Sequence, residues 1–61
     1  MKIEVVKDYY DDCITVREVG KENNILLVVH HKYSLTTTCH DLVRLLKSVA
    51  KPDVEIVETE L

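Results

Sequence analysis

One stretch of helical periodicity, set inside a chain that otherwise repeats every second residue, constrains the fold most. Leu42, Leu45, Leu46, Val49 and Ala50 recur at i, i+3, i+4, i+7 and i+8, the spacing of one helical face. Thr38 is a good N-cap, and Asp41 follows it at a spacing like that of a capping box. Asp41 near the positive end, and Lys47 and Lys51 near the negative end, complement the helix dipole. Pro52 cannot continue a helix and restricts the residue before it. The helix is therefore predicted to stop near Lys51.

The flanking segments carry the strand period. Residues 2–6 place Ile3 and Val5 two apart, with Val6 breaking the alternation. Residues 7–12 read as a polar turn whose Asp8, Asp11 and Asp12 can bond to nearby backbone. Residues 13–19 put Ile14 and Val16 on one face and Thr15 and Arg17 on the other, as a half-buried strand requires. Gly20, Asn23 and Asn24 make residues 20–24 a turn, because they best tolerate positive φ. Residues 25–33 open on a continuous aliphatic run, which reads as a central strand covered on both faces. Residues 53–60 alternate again, with Val54 and Ile56 facing in and Glu55, Glu58 and Glu60 mostly out. The order is β-β-β-α-β. It predicts a single α+β domain over residues 1–61, a small antiparallel or mixed sheet with one amphipathic helix on one face.

Size then bears on association. A chain of 61 residues buries only about 60% of the surface that its unfolded form exposes. One helix covers one sheet face, yet the aliphatic residues of 25–29 point to both. Full burial of such a side chain is worth about 1.5–3 kcal/mol. A second protomer is the simplest cover, so a homodimer packed through the sheet or across strand edges is expected.

Composition excludes several kinds of chemistry. The net charge of −3 leaves no basic excess for a phosphate backbone. Lys32, Arg44, Lys47 and Lys51 are interspersed, and Tyr9, Tyr10 and Tyr33 are too few for a base-stacking platform. No apolar run is long enough for a membrane span, and the first residues lack the apolar core of a signal peptide. Cys13 and Cys39 are too far apart for a Cys-x-x-Cys pair and too few for the disulfide framework of a small secreted domain. They read as buried thiols of a cytoplasmic protein. His30 and His31 are neighbours on a strand and point to opposite faces. Neither they nor Cys39 and His40 match a zinc spacing, so no metal and no cofactor are expected.

Nucleophilic chemistry fares no better. Cys39 lies in the first turn of the predicted helix, where the dipole lowers a thiol pKa. His40, however, points about 100° away around the helix, a poor geometry for a Cys–His pair. Asp11 and Asp12 sit in a turn without a pocket. No enzyme is expected. The acidic residues are unevenly spread: Asp8, Asp11 and Asp12 share one turn, and Asp53, Glu55, Glu58 and Glu60 crowd the last nine positions. Such a surface attracts a basic protein and presents carboxylates where a nucleic acid would present phosphates.

Taken in order, Asp8, Tyr10 and Asp11, then Gly20 and Lys21, His31 and Lys32, Ser34 and Leu35, and Asp41 with Leu42 resemble the small uracil-DNA glycosylase inhibitors of Bacillus podophages. The likeness spans most of the chain through short motifs. It implies a homodimer in the host cytoplasm that occupies the DNA cleft of uracil-DNA glycosylase as a DNA mimic. In that family the helix supplies an apolar cage for the leucine that the enzyme wedges into the DNA minor groove. With the helices aligned at Asp41 and Leu42, the two aromatic cage residues fall on Leu42 and Leu46. Glutamates of the family fall on Val43 and Val29, which is a departure. The resemblance thus implies partner-binding roles for Leu42, Leu46, Asp41, Val43, Asp8 and Asp11. Two other readings stay open: a small DNA-binding or antitoxin-like regulatory dimer, and a small metal or thiol protein.

Overall fold

A computed structural model describes residues 1–20, 24–30 and 34–61. Its elements follow the expected order: β1 (Lys2–Asp8), β2 (Cys13–Glu18), β3 (Ile25–His30), α1 (Leu35–Val49) and β4 (Glu55–Glu60). The strands form one sheet in the order β3-β2-β1-β4. β1 pairs antiparallel with β2, and β2 with β3, whereas β1 pairs parallel with β4. The fold is therefore a mixed-sheet α+β domain of β-β-β-α-β layout.

This order corrects the position of β3. Its aliphatic run predicts a central strand, but β3 is an edge strand, and Ile25, Leu26, Leu27 and Val28 are each about half exposed. The central strands are β1 and β2. They are joined by the turn after Asp8, whose Oδ1 accepts the backbone N–H of Tyr10 and of Asp11. That side chain nucleates the turn as expected, although Asp8 itself closes β1. Gly20 has φ +82°, a conformation open to glycine at no steric cost. The expectations for Lys21, Asn23, His31, Lys32 and Tyr33 lie outside the described residues.

β3 and β4 run in the same direction at opposite edges, so α1 must carry the chain across the sheet. A helix of 15 residues is about 22 Å long, enough for this crossing. It packs over β4 and β1, touches β2, and does not reach β3. The core lies under it. Ile3, Val5, Ile14, Val16 and Ile56 from the sheet meet Leu35, Cys39 and Val43 from the helix. Val6, on the opposite face, is buried between its register partners Thr15 and Thr59.

The helix starts earlier than expected and is rotated about its axis. Ser34, not Thr38, is the N-cap; it has φ 60° and makes no side-chain cap bond. Thr38 instead donates its backbone N–H to the Ser34 carbonyl, in the first helical turn. Asp41 therefore lies in the second turn, away from the dipole's positive end, while Lys47 is in the last turn as expected. The buried stripe runs through Leu35, Cys39 and Val43, flanked by Leu42, Leu46 and Ala50. Leu45 and Val49, expected inside, are exposed. Ala50 ends the helix in extended backbone, two residues before Pro52. In β4, strict alternation puts Glu58 and Glu60 on the same face as Ile56, not on the outer face.

Candidate protein-binding surface

The shift of α1 toward β4 leaves the sheet uncovered beneath β3, and local chain geometry makes that gap apolar. Val16 pairs with Leu27 and Arg17 with Ile25, so Leu26 is an extra residue in β3. Such a bulge breaks the alternation. Leu26 and Leu27 consequently line the same trough, together with Leu46, Val49 and Ala50 of the helix and with Ile3, Val16 and Ile56 of the core beneath. Met1 and Val54 complete it. The trough has a volume of about 300 Å³ and its lining is wholly apolar.

The exposed apolar surface extends past this trough. Leu45 and Val49 are one turn apart on the same helix flank and are 59% and 72% exposed, levels at which most of the side chain still meets water. Covering a half-exposed Leu or Val returns about half of its full burial energy of 1.5–3 kcal/mol. Several such residues in one place make a candidate binding surface rather than scattered exposure.

The opposite helix flank is polar. His40 Nδ1 lies 3.1 Å from Glu58, and Lys7 Nζ lies 3.5 Å from Glu58 and 3.9 Å from Glu60. Desolvation lowers the Lys7 pKa, but the negative charges of Glu58, Tyr9 and Cys39 together more than offset it and hold the ammonium above its ordinary value. Cys39 is fully buried beside this group. Burial, reinforced by Glu58, pushes its thiol up to about 11. The thiol-lowering effect of a helix N-terminus does not operate here, because Cys39 sits in the second turn and out of solvent. Cys39 is thus protonated near neutral pH and is not poised as a nucleophile. Cys13 is also a buried free thiol.

The residues singled out from sequence divide among these surfaces. Leu46 lines the trough, and Leu42, one helical turn earlier, packs half-buried against the core. Val43 is a core residue, 8% exposed. Asp41 and Asp11 are exposed, while Asp8 is tied to the turn backbone. The turn carrying Asp8 and Asp11 reaches the helix through Tyr9, whose hydroxyl lies 3.0 Å from Thr36 Oγ1. Thr36 precedes Leu42 by about 9 Å of helix, so these acids and the trough are separate surfaces. Of the other acids, Glu4, Glu58 and Glu60 are in ion pairs, and Asp12, Asp53 and Glu55 are exposed.

Sequence reasoning missed Leu26, Leu27, Leu45 and Val49 as surface residues. Their aliphatic character was plain, but a bulge and a helix rotation decided where they point. Arg44, Lys47 and Lys51, which look interspersed in sequence, are all exposed; Arg44 and Lys47 lie one turn apart on α1, and Lys51 lies just past its end. Among the described residues no helix is long and apolar enough to cross a membrane. Comparison with known protein families, curated proteins and solved structures finds no match.

Proposed function

We propose that this chain is a non-catalytic protein-binding module that works as a homodimer. The observation that carries the reading is the apolar trough between α1 and β3, continued by the bare aliphatic edge of β3. Its likeness to the podophage inhibitors selects the target, uracil-DNA glycosylase. Leu46 and Leu42 offer an aliphatic lining for an inserted leucine, and Asp41, Asp11, Asp12, Asp53 and Glu55 offer exposed carboxylates to a cationic DNA cleft. Glu58 and Glu60 contribute less, since Lys7 draws on both. Charge steering of this kind raises the association rate and is weakened by salt. Stoichiometric addition should abolish uracil excision by a bacterial glycosylase. Full excision activity at large molar excess over several such enzymes rejects the target.

One observation favours a second reading. Arg44 and Lys47 on α1, and Lys51 just past its end, are exposed basic residues, and in a dimer two such sets act together. This fits a small DNA-binding regulatory dimer, which would contact phosphates without base readout. A gel shift at low salt separates the two: the inhibitor does not retain duplex DNA, and the regulator does.

A further inference from the structure

We infer that β3 is the dimer seam: it pairs antiparallel with β3 of a second copy, with the two-fold axis passing Val28, to give a continuous eight-stranded sheet. The inference rests on the proposed homodimer and specifies its geometry. Three observations single out a second copy of this chain as the occupant of the edge.

The two sheet edges differ in kind. An exposed edge strand invites pairing, and soluble proteins blunt it with charges, prolines or inward-pointing polar residues. β4 is blunted in this way by Glu55, Glu58 and Glu60. β3 has the sequence ILLVVH, with no Lys, Arg, Asp, Glu or Pro. Only one edge of the sheet is built to be covered.

Charge then discriminates between the two edges as a seat for a second copy. A second copy also carries −3, so pairing through β4 would oppose rows of carboxylates, which is destabilising. Pairing through β3 brings together two segments with no Asp, Glu, Lys or Arg, whose single titratable side chain is the terminal His30. This is the edge at which a like-charged copy meets no repulsion.

Register finally fixes the axis. Directly opposed residues of an antiparallel pair lie on the same face, so a two-fold axis must pass through a residue and not between two. For β3 the positions that keep the most overlap are Leu27 and Val28. An axis at Leu27 would set the bulged Leu26, which faces the trough, against Val28 on the other face. An axis at Val28 moves Leu26 to the end of the ladder. It opposes Leu27 to Val29 on the helix side, where both already belong. The two troughs then adjoin across the seam on one face of the sheet.

The test follows from Val28 opposing itself. Light scattering on the intact chain should give twice the 7.1 kDa chain mass. V28K and V28E each place like charges opposite one another, and each should dissociate at least about tenfold more readily. Val28 is 42% exposed, so both variants should keep the wild-type circular dichroism. Mixed in equal amounts, they should form a V28K–V28E heterodimer. A single-chain mass for the wild type at all concentrations overturns the seam. So does a V28K dimer as tight as the wild type, or a mixture no tighter than its parts. If instead the heterodimer forms but excision by glycosylase is untouched, the seam stands and the proposed target falls.

Discussion

Arg17 donates its Nε–H to Glu4 Oε1 at 2.6 Å, across the two central strands, from positions that are direct register partners. The pair lies on the sheet face away from the helix, where Thr59 Oγ1 lies 3.4 Å from the other Glu4 oxygen. Both side chains are mostly out of solvent. This makes the contact stronger than an ordinary surface ion pair, because desolvated charge-assisted bonds are less screened. Glu4→Ala leaves the guanidinium without its carboxylate and is expected to cost about 1–3 kcal/mol. In a domain of this size that lowers Tm by about 4–8 °C per kcal/mol, measured by thermal circular dichroism. A change within error would show that the pair contributes nothing.

Alkaline pH is expected to destabilise the fold through Cys39 and Lys7. Burial holds the Cys39 thiol protonated in the native state to about pH 11, whereas the unfolded thiol loses its proton near pH 8.5–9. Between these values the native state binds more protons, so stability falls as pH rises. Lys7 has the same sign. Its native pKa is raised, so its contribution is present below the ordinary lysine value and lost above the native one. Urea midpoints measured from pH 8 to 11 should decline. Cys39→Ala should flatten the first part of that decline, and a thiol reagent at pH 8 should label native Cys39 only on unfolding.

Core residues and the exposed residues of the helix flank are expected to differ sharply in their response to truncation. Ile14 is fully buried at the centre of the cluster, and Ile14→Ala should cost about 2–5 kcal/mol. Leu45→Ala removes a side chain that is mostly in water and should change the stability of the isolated fold by less than about 0.5 kcal/mol. Denaturant titration at low protein concentration reads both. A large loss from Leu45→Ala would place that residue in a core that the fold assigns to Val43.

The charge-steered encounter proposed for the acidic surface predicts a kinetic signature. Asp11→Asn combined with Asp41→Asn should slow association with glycosylase and reduce its dependence on salt, while dissociation changes little. Stopped-flow association at several ionic strengths distinguishes this from an apolar contact, which would leave the salt dependence intact.

Element order was legible in the chain because the change from period two to helical period, and back, survives any error of phase. Phase itself was not legible. Leu42, Leu45, Leu46 and Val49 fit one face, but Leu35 lies upstream of the apparent N-cap at Thr38, and with Cys39 just after that residue it belongs to the same stripe as Val43. Including them rotates the buried centre away from Leu45 and Val49. β3 was misplaced for a related reason. An aliphatic run predicts burial on both faces, and the sequence does not reveal whether neighbouring strands or a second copy supply it. The Leu26 bulge left no local signal, since no glycine marks it. Glu58 and Glu60 were expected to face out although their even spacing from Ile56 places them on the helix side; there the signal was present in the sequence and their charge outweighed it.

Amide hydrogen exchange along β3 tests the central claim most directly, because a covered edge and a free edge differ at the backbone itself. The outward-facing amides of Ile25–His30 should be protected to the level of β1 and β2 at high protein concentration, and should lose that protection on dilution as the seam opens. Free-edge exchange at every concentration, with glycosylase present or absent, would contradict the assignment of this surface to protein binding.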